Sequence, residues 1–167
     1  PLGGHDPYSA SKAMADLATQ SWRASYPGSP VAIARAGNVI GGGDVSSDRL
    51  MPDLLAGFAS GAPVDIRSPH AVRPWQHVLD CLQGYLLLVD QMLEIGTEEE
   101  WNFGPSPDGF LTVADVANSA AERWGEGASW QVDEGDHPRE ASTLTLDATK
   151  ARQSLGWRDR LSTQDAI

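Results

Sequence analysis

The stretch VAIARAGNVIGGG, residues 31–43, decides the fold of this chain. Its first half is a short apolar run between Pro30 and a glycine cluster, a pattern typical of a buried strand in a parallel sheet. Gly37 and Asn38 would then lie at the carboxyl end of the strand, where ligands bind in open α/β sheets. Glycines 41–43 predict either a loop that a ligand can approach closely or only a flexible turn.

A helix is predicted immediately upstream, starting in the stretch DPYSASKA at residues 6–13. Asp6 can cap the free amide groups of the first turn, and Pro7 suits the first helical position. Apolar residues recur at close to the helical period until Pro27 and Gly28 end the pattern. These periodic residues are Ala10, Ala13, Met14, Leu17 and Ala18.

Tyr8 and Lys12 would lie one turn apart on the same face of this helix. An ammonium group beside a phenol favours the phenolate, which is the form that a tyrosine base uses in general acid–base chemistry. An isolated Y-x-x-x-K pattern is more commonly a surface contact between the two side chains. The rest of the sequence therefore has to decide between a catalytic pair and a surface pair.

Helices and strands alternate along the rest of the chain, which indicates an α/β fold. The apolar stripe of residues 72–92 predicts one long helix. Thr112 and Asp115 resemble a capping box that opens a helix ending near Trp124. The other predicted elements are a helix at 50–59, strands at 63–67, 98–105, 129–133 and 142–147, and a short helix from 147 to Gly156.

The composition excludes several classes of protein. The 167 residues carry a formal net charge of -11, which argues against nonspecific binding to nucleic acid or to an anionic membrane. Arginines that cluster locally can still bind a phosphate-bearing small molecule, because the planar guanidinium matches phosphate oxygens. Cys81 is the single cysteine, so neither a disulfide framework nor a cysteine-based zinc site can form within the chain, and we expect a cytoplasmic protein.

Two further patterns are missing from the sequence. No apolar run approaches the length of a membrane-spanning helix, and no G-x-G-x-x-G phosphate loop is present. The histidines do not have metal-ligand spacing, so no metal site is expected. They are His5, His70, His77 and His137.

Three motifs, in this order, resemble the extended short-chain dehydrogenases/reductases: Tyr8-x-x-x-Lys12, RAGNVIGGGD at 35–44 and RPWQHV at 73–78. Within that superfamily the wording is most similar to the CDP-glucose 4,6-dehydratases, and the similarity extends to PLGGHDPYSASKA and LTLDATKARQSLGW. The resemblance covers nearly the whole chain but only the carboxyl-terminal half of such an enzyme. Val45 and the segment 138–141 depart from the pattern of that group.

The resemblance implies a fold and a domain division. We expect the carboxyl-terminal part of a Rossmann-like doubly wound sheet, together with a smaller mixed α/β domain that binds a sugar nucleotide. Residues 1–43 would end the NAD-binding domain, and residues 44–167 would form mainly the substrate domain. Residues 75–105 would return to the NAD-binding domain.

The resemblance also implies a chemistry, the dehydration of CDP-glucose to CDP-4-keto-6-deoxyglucose with NAD as cofactor. Tyr8 would remove the proton of the C4 hydroxyl group while hydride leaves C4, and Lys12 would hold the nicotinamide ribose. Water would then leave across C5–C6, and hydride would return to C6. The acid and base of the elimination would lie upstream of Pro1, and the isolated chain would be inactive.

The site residues that the resemblance implies fall into two groups. The cofactor side would comprise Tyr8, Lys12, Arg35 and Gly37. The substrate side would comprise Asn38, Arg49, Leu50, Arg67, Arg73 and His77. Arg73 would bind the diphosphate through paired hydrogen bonds, whereas for Arg49 and Arg67 a surface role is equally expected.

Two other functions share these motifs. A sugar-nucleotide epimerase or reductase would keep the Tyr–Lys pair without the elimination acid and base. A non-catalytic fragment that binds a nucleotide sugar would also explain the missing phosphate loop. The resemblance also implies a homo-oligomer formed through the Tyr–Lys helix.

Overall fold

The structure, a computed structural model, describes residue 3 and residues 6–28, 30–137 and 140–167. The helices are α1 (Pro7–Ser25), α2 (Leu50–Ser60), α3 (Val78–Ile95), α4 (Val113–Trp124), α5 (Thr149–Ser154) and α6 (Thr163–Ala166). The strands are β1 (Ile33–Ala36), β2 (Asn38–Ile40), β3 (Val64–Ile66), β4 (Val72–His77), β5 (Glu100–Phe103), β6 (Phe110–Thr112) and β7 (Trp130–Val132). A 3-10 turn spans Pro107–Gly109.

The described strands form small sheets in which most pairs are parallel. β1 pairs with β5 and β3 pairs with β7, both in parallel. β4 lies between β2, to which it is parallel, and β6, to which it is antiparallel. The buried Gln76 amide donates to the Phe103 carbonyl at 2.9 Å and so links β4 to β5. The fold class expected from the sequence, an α/β fold with parallel strands, is confirmed.

Among the described residues, three groups of buried side chains form the core between these elements. Phe103, Leu88 and Trp157 pack where α3 and α5 cover β5. Leu54 and Phe58 of α2 belong to a second group with α4 and β3. The third group is smaller and consists of Ile40, Trp75 and Val116. In contrast, α1 has no buried residue.

Most predicted elements are confirmed, but the single helix predicted over 72–92 is wrong at its start. Residues 72–77 form β4, and the helix begins only at Val78. Pro74 lacks a backbone donor and disfavours helical geometry at Arg73, which leaves this segment free to pair with β2 and β6. His77 then caps α3, because its Nδ1 accepts the Leu79 amide at 3.0 Å.

The end of the chain also differs from the prediction. The strand predicted at 142–147 is reduced to one bridge between Thr143 and Val72. The short strands β2 and β6 and the helix α6 have no counterpart in the prediction. Each of these elements is only three or four residues long, which is too short for hydrophobic periodicity to be visible. None of the helices in the described part of the chain combines the length and the apolar character of a membrane span.

Candidate functional site

The first part of the candidate site is the exposed face of α1. The Asp6 carboxylate accepts the Ser9 amide at 2.8 Å and opens the helix at Pro7, as the sequence predicts. Tyr8 is 66% exposed, and Lys12 Nζ lies 5.4 Å from the centroid of its ring. A cation at this distance interacts favourably with the aromatic face. The two groups therefore lie side by side and accessible to a ligand.

Arg35 of β1 does not project freely toward a ligand. Its Nε lies 2.9 Å from Asp16 Oδ2 on α1, and its Nη2 contacts the same oxygen. Its Nη1 lies 3.4 Å from Asn102 Oδ1 on β5. The side chain that the resemblance assigns to the cofactor thus connects α1 to the sheet.

Gly37 separates β1 from β2 and is tightly enclosed. A Cβ atom at this position would lie 2.4 Å from the Pro74 carbonyl oxygen and 2.8 Å from the Pro74 ring. Such contacts exclude any side chain, so glycine is required here for packing against β4.

The second part of the site is a cavity of about 160 Å³ between β2, α2, β3 and β4. Four of the substrate-side residues expected from the sequence line it, namely Asn38, Leu50, Arg67 and Arg73. The cavity also has an apolar surface formed by Val64, Ile66, Trp75 and Val113. It therefore combines cationic, amide and apolar groups, as small-molecule sites do.

The arginines of this cavity share a carboxylate. Arg73 Nη2 lies 3.0 Å from Glu140 Oε2, and its Nη1 donates to the Ala141 carbonyl at 2.8 Å. Arg67 Nη2 lies 4.0 Å from the other oxygen of Glu140. The Arg73 side chain is 12% exposed and that of Arg67 is 47% exposed. The negatively charged carboxylate of Glu140 therefore lies close to both guanidinium groups.

The cavity lining also contains the carboxylates of Asp48, Asp53 and Asp65. Loss of water contacts raises the pKa of Asp53, and the nearby charge of Asp48 raises it further, while Arg67 acts in the other direction. Asp65 accepts a hydrogen bond of 2.7 Å from Gln131. The cavity lining therefore combines arginines with several carboxylates.

Two substrate-side residues do not line this cavity. Arg49 is an exposed residue at the start of α2, and His77 serves as the cap of α3. Among the other histidines, His70 is exposed and His137 lies 3.0 Å from Asp133. His5 lies outside the described residues. No group of three or more potential metal ligands comes together in the part of the chain that the structure describes.

Sequence reasoning missed several residues of the cavity. Asp48, Asp65 and Glu140 line it, and none of them belongs to the motifs used above. Glu140 lies in the segment 138–141, whose sequence departs from that of the CDP-glucose 4,6-dehydratases. This departure was the one signal in the sequence that pointed to the segment. Its contact with Arg73 spans 67 positions of the chain and could not be read from spacing.

Comparisons with known proteins show the family to which the chain is related. The model of the NAD dependent epimerase/dehydratase family matches residues 1–104. A CDP-glucose 4,6-dehydratase from Salmonella typhimurium is 44% identical over 96% of this chain and 47% of its own length. A dTDP-glucose 4,6-dehydratase from Streptomyces niveus is 26% identical, over 100% of this chain and 48% of its own length.

Solved structures show the same relationship. The dTDP-glucose 4,6-dehydratase DesIV from Streptomyces venezuelae, solved with NAD, has a TM-score of 0.81 and is 26% identical, over 99% of this chain and 50% of its own. A UDP-glucuronic acid 4-epimerase from Bacillus cereus has a TM-score of 0.82 at 20% identity and supports the fold alone. This chain spans about half the length of the relatives it matches. Given its family match over residues 1–104 and this shared fold, the chain belongs to the NAD dependent epimerase/dehydratase family.

Proposed function

We propose that this chain supplies the Tyr–Lys pair and the sugar-nucleotide cavity of an NAD-dependent dehydratase that converts CDP-glucose to CDP-4-keto-6-deoxyglucose. The observation that carries the proposal is the 44% identity to a CDP-glucose 4,6-dehydratase over 96% of the chain. The cavity supports it, because arginines, an asparagine and an apolar wall suit a nucleoside diphosphate. In this proposal the protein is a lyase.

The domain division expected above is part of this proposal. Residues 1–43 contribute to the NAD-binding domain, residues 44–167 form mainly the substrate domain, and residues 75–105 return to the first domain. The parallel pairing of β1 with β5 supports this return, because residues 100–103 lie beside residues 33–36 in one sheet.

The described residues fit one end of the cofactor. Tyr8 and Lys12 form an exposed pair of a phenol and an ammonium, which suits the ribose next to the nicotinamide. The sequence has no G-x-G-x-x-G loop for the dinucleotide pyrophosphate. When bound, NAD supplies the acceptance and the return of hydride. Arg35 and Gly37 support the cofactor side indirectly. Arg35 holds α1 through Asp16, and Gly37 lets the backbone between β1 and β2 pack against β4.

Tyr8 and Lys12 carry the acid–base part of the mechanism. The Tyr8 phenolate removes the proton from the C4 hydroxyl group of glucose as that carbon is oxidised, and Lys12 stabilises the negative phenolate oxygen. The resulting 4-ketone acidifies the proton on C5, so that water can leave across C5–C6. We assign no described residue to the acid and base of that elimination.

The substrate is held by the cavity. Arg73 and Arg67 bind the diphosphate, with Arg73 as the principal group because it is the more buried. Asn38 faces the sugar or its phosphate, and Leu50 contributes to the apolar wall against the base. Arg49 and His77 lie outside the cavity lining, so we expect them to contribute less to substrate binding than the residues that line it.

The setting of the reaction is also part of the proposal. We place the protein in the cytoplasm, since Cys81 is its single cysteine and forms no disulfide within the chain. Both α1 and α3 carry large exposed apolar side chains, including Leu17 and Leu86. We propose that copies of the protein associate through these helices, because exposed apolar patches of this kind mark interfaces.

The test is the substitution Tyr8→Phe in the full-length protein, assayed with NAD and CDP-glucose. Because the phenol acts in proton transfer, turnover should fall by roughly 10²–10⁴-fold while the affinity for CDP stays nearly unchanged. Tyr26→Phe is the matched control, since this tyrosine caps the other end of the same helix. Undiminished turnover in the Tyr8 variant would show that the pair is only a surface contact.

A further inference from the structure

We propose that Arg35 is a positioning residue for the Tyr8–Lys12 pair: it binds the Asp16 carboxylate, which both fixes α1 on the sheet and keeps that carboxylate away from the Lys12 ammonium. The inference rests on the proposed roles of Tyr8 and Lys12. It assigns to Arg35 an action through the helix, without a contact to the cofactor.

The spacing on α1 creates a competition for Lys12. Tyr8, Lys12 and Asp16 follow one another at intervals of four residues, so Lys12 has the phenol on one side and the carboxylate on the other. A Lys–Asp pair at this spacing attracts, and it would draw the ammonium away from the phenol. In the structure the carboxylate is instead bound by Arg35, and Lys12 lies over the Tyr8 ring.

The contacts of Arg35 favour its pairing with Asp16 over a pairing of Asp16 with Lys12. Two of its nitrogens contact the same oxygen of Asp16, with Nε at 2.9 Å. Asn102 contacts the guanidinium from the other side and is itself bound to the Asp147 carbonyl at 3.0 Å. The Asp16 side chain is only 12% exposed, so water screens this ion pair less than a surface pair.

The same contact anchors the helix. Because α1 buries none of its residues, its polar contacts to the sheet determine where Tyr8 lies. There are two such ion pairs among the described residues, Asp16 with Arg35 of β1 and Arg23 with Glu100 of β5. The Asp16 pair is the nearer to Tyr8 along the helix.

The charged groups around the pair are few in the described residues. On α1 and its cap they are Asp6, whose carboxylate is bound to Ser9, and Asp16. From the sheet, Arg35 reaches Asp16, and Glu100 is bound to Arg23. Removal of Arg35 therefore leaves Asp16 as the free anion nearest to Lys12 on the same helix face.

The experiment measures the ionisation of Tyr8 in the chain itself, by the ultraviolet absorbance of tyrosinate as a function of pH. The Tyr8→Phe variant identifies which part of the titration belongs to this residue. In Arg35→Gln we expect the midpoint of Tyr8 to move to higher pH, with a phenolate fraction about three- to tenfold lower at a given pH. A change of this size is expected when a unit charge near the protein surface is neutralised.

Three further variants separate charge from structure. Arg35→Lys should restore most of the wild-type titration, because it keeps the cation opposite Asp16. The double variant Arg35→Gln with Asp16→Asn should also restore it, since the competing carboxylate is gone. Arg23→Gln is the matched control: it removes the other anchor of α1 and should leave the midpoint of Tyr8 unchanged.

Two results would overturn the inference. One is an unchanged Tyr8 titration in Arg35→Gln, with the helix content by circular dichroism intact. The other is a double variant that behaves like Arg35→Gln alone. Neither result depends on turnover, so the inference can fail while Tyr8→Phe in the full-length protein still supports the proposed function, and the reverse also holds.

Discussion

Glu140 is the residue whose position bears most on how the cavity can bind an anion. Its carboxylate lies between Arg73 and Arg67, the groups that we assign to the diphosphate of the substrate. An incoming diphosphate has to share these guanidinium groups with Glu140 or displace it. We therefore expect Glu140 to lower the affinity of the cavity for anions.

The substitution Glu140→Gln should accordingly tighten the binding of CDP, by roughly two- to fivefold, the range expected when one partly exposed ion pair is lost. Isothermal calorimetry with CDP measures the change. Glu134→Gln is the control, because Glu134 is an exposed carboxylate outside the cavity lining. Weaker binding in Glu140→Gln would mean that the carboxylate orients Arg73 and does not compete with the ligand.

For single residues, the sequence predicts which side chains lie together when they belong to the same helix or strand. The spacing of Tyr8 and Lys12 is visible because a helix turns every 3.6 residues. The partners of Arg35 and Arg73 are not visible, because Asp16 and Glu140 lie on other segments. Motif resemblance alone would leave both arginines free to bind a ligand.

Among the elements, α4 shows best how local chemistry defines a boundary. The Thr112 hydroxyl accepts the Asp115 amide at 3.0 Å, and the Asp115 carboxylate accepts the Thr112 amide at 2.9 Å. The capping box predicted from the sequence is confirmed. The helix then packs Val116, Ala117 and Ala120 into the core.

Thr112→Ala should lower the free energy of unfolding by about 1 kcal/mol, because the amide at the start of α4 loses its acceptor. Urea unfolding followed by circular dichroism gives the value. Thr145→Ala provides the comparison, since Thr145 is exposed and lies outside every helix and strand of the structure. Equal effects of the two substitutions would contradict a capping role.

Other elements could not be assigned from the sequence because two conformations satisfy the same pattern. Residues 72–77 continue the apolar stripe of α3, yet they form a strand between β2 and β6. Only pairing with segments far along the chain distinguishes the two outcomes. Pro74 was the local signal that could have separated them.

The carboxyl groups of the molecule make its stability depend on pH. Hydrogen bonds from charged or polar partners lower the pKa of several carboxyl groups. For Glu100 the main cause is Arg23. For Asp159 burial acts in the opposite direction, but the Ser106 amide and Arg152 outweigh it. A group whose pKa is lower in the folded state stabilises the fold above its unfolded pKa, and this contribution is lost as the pH falls through its folded pKa.

We therefore expect the urea midpoint of the chain to be constant around pH 7 and to fall progressively below about pH 5, where carboxyl groups of unfolded chains begin to bind protons. Asp53 works in the other direction, because its pKa is raised. Asp159→Asn should lower the midpoint at pH 7 and make the acid dependence shallower. A midpoint that rises toward pH 4 would contradict this account.

Gly37 has a mechanical consequence for the whole site. It is the single residue between β1, on the proposed cofactor side, and β2, which carries Asn38 into the cavity. Because a Cβ atom at Gly37 would lie 2.4 Å from the Pro74 carbonyl oxygen, β4 packs directly against the backbone that joins the two strands. The two strands should move as one ribbon, so the spacing between cofactor and sugar is set by the covalent chain. Adjustment of the cavity to its ligand should then come from side chains, such as the two arginines that Glu140 contacts.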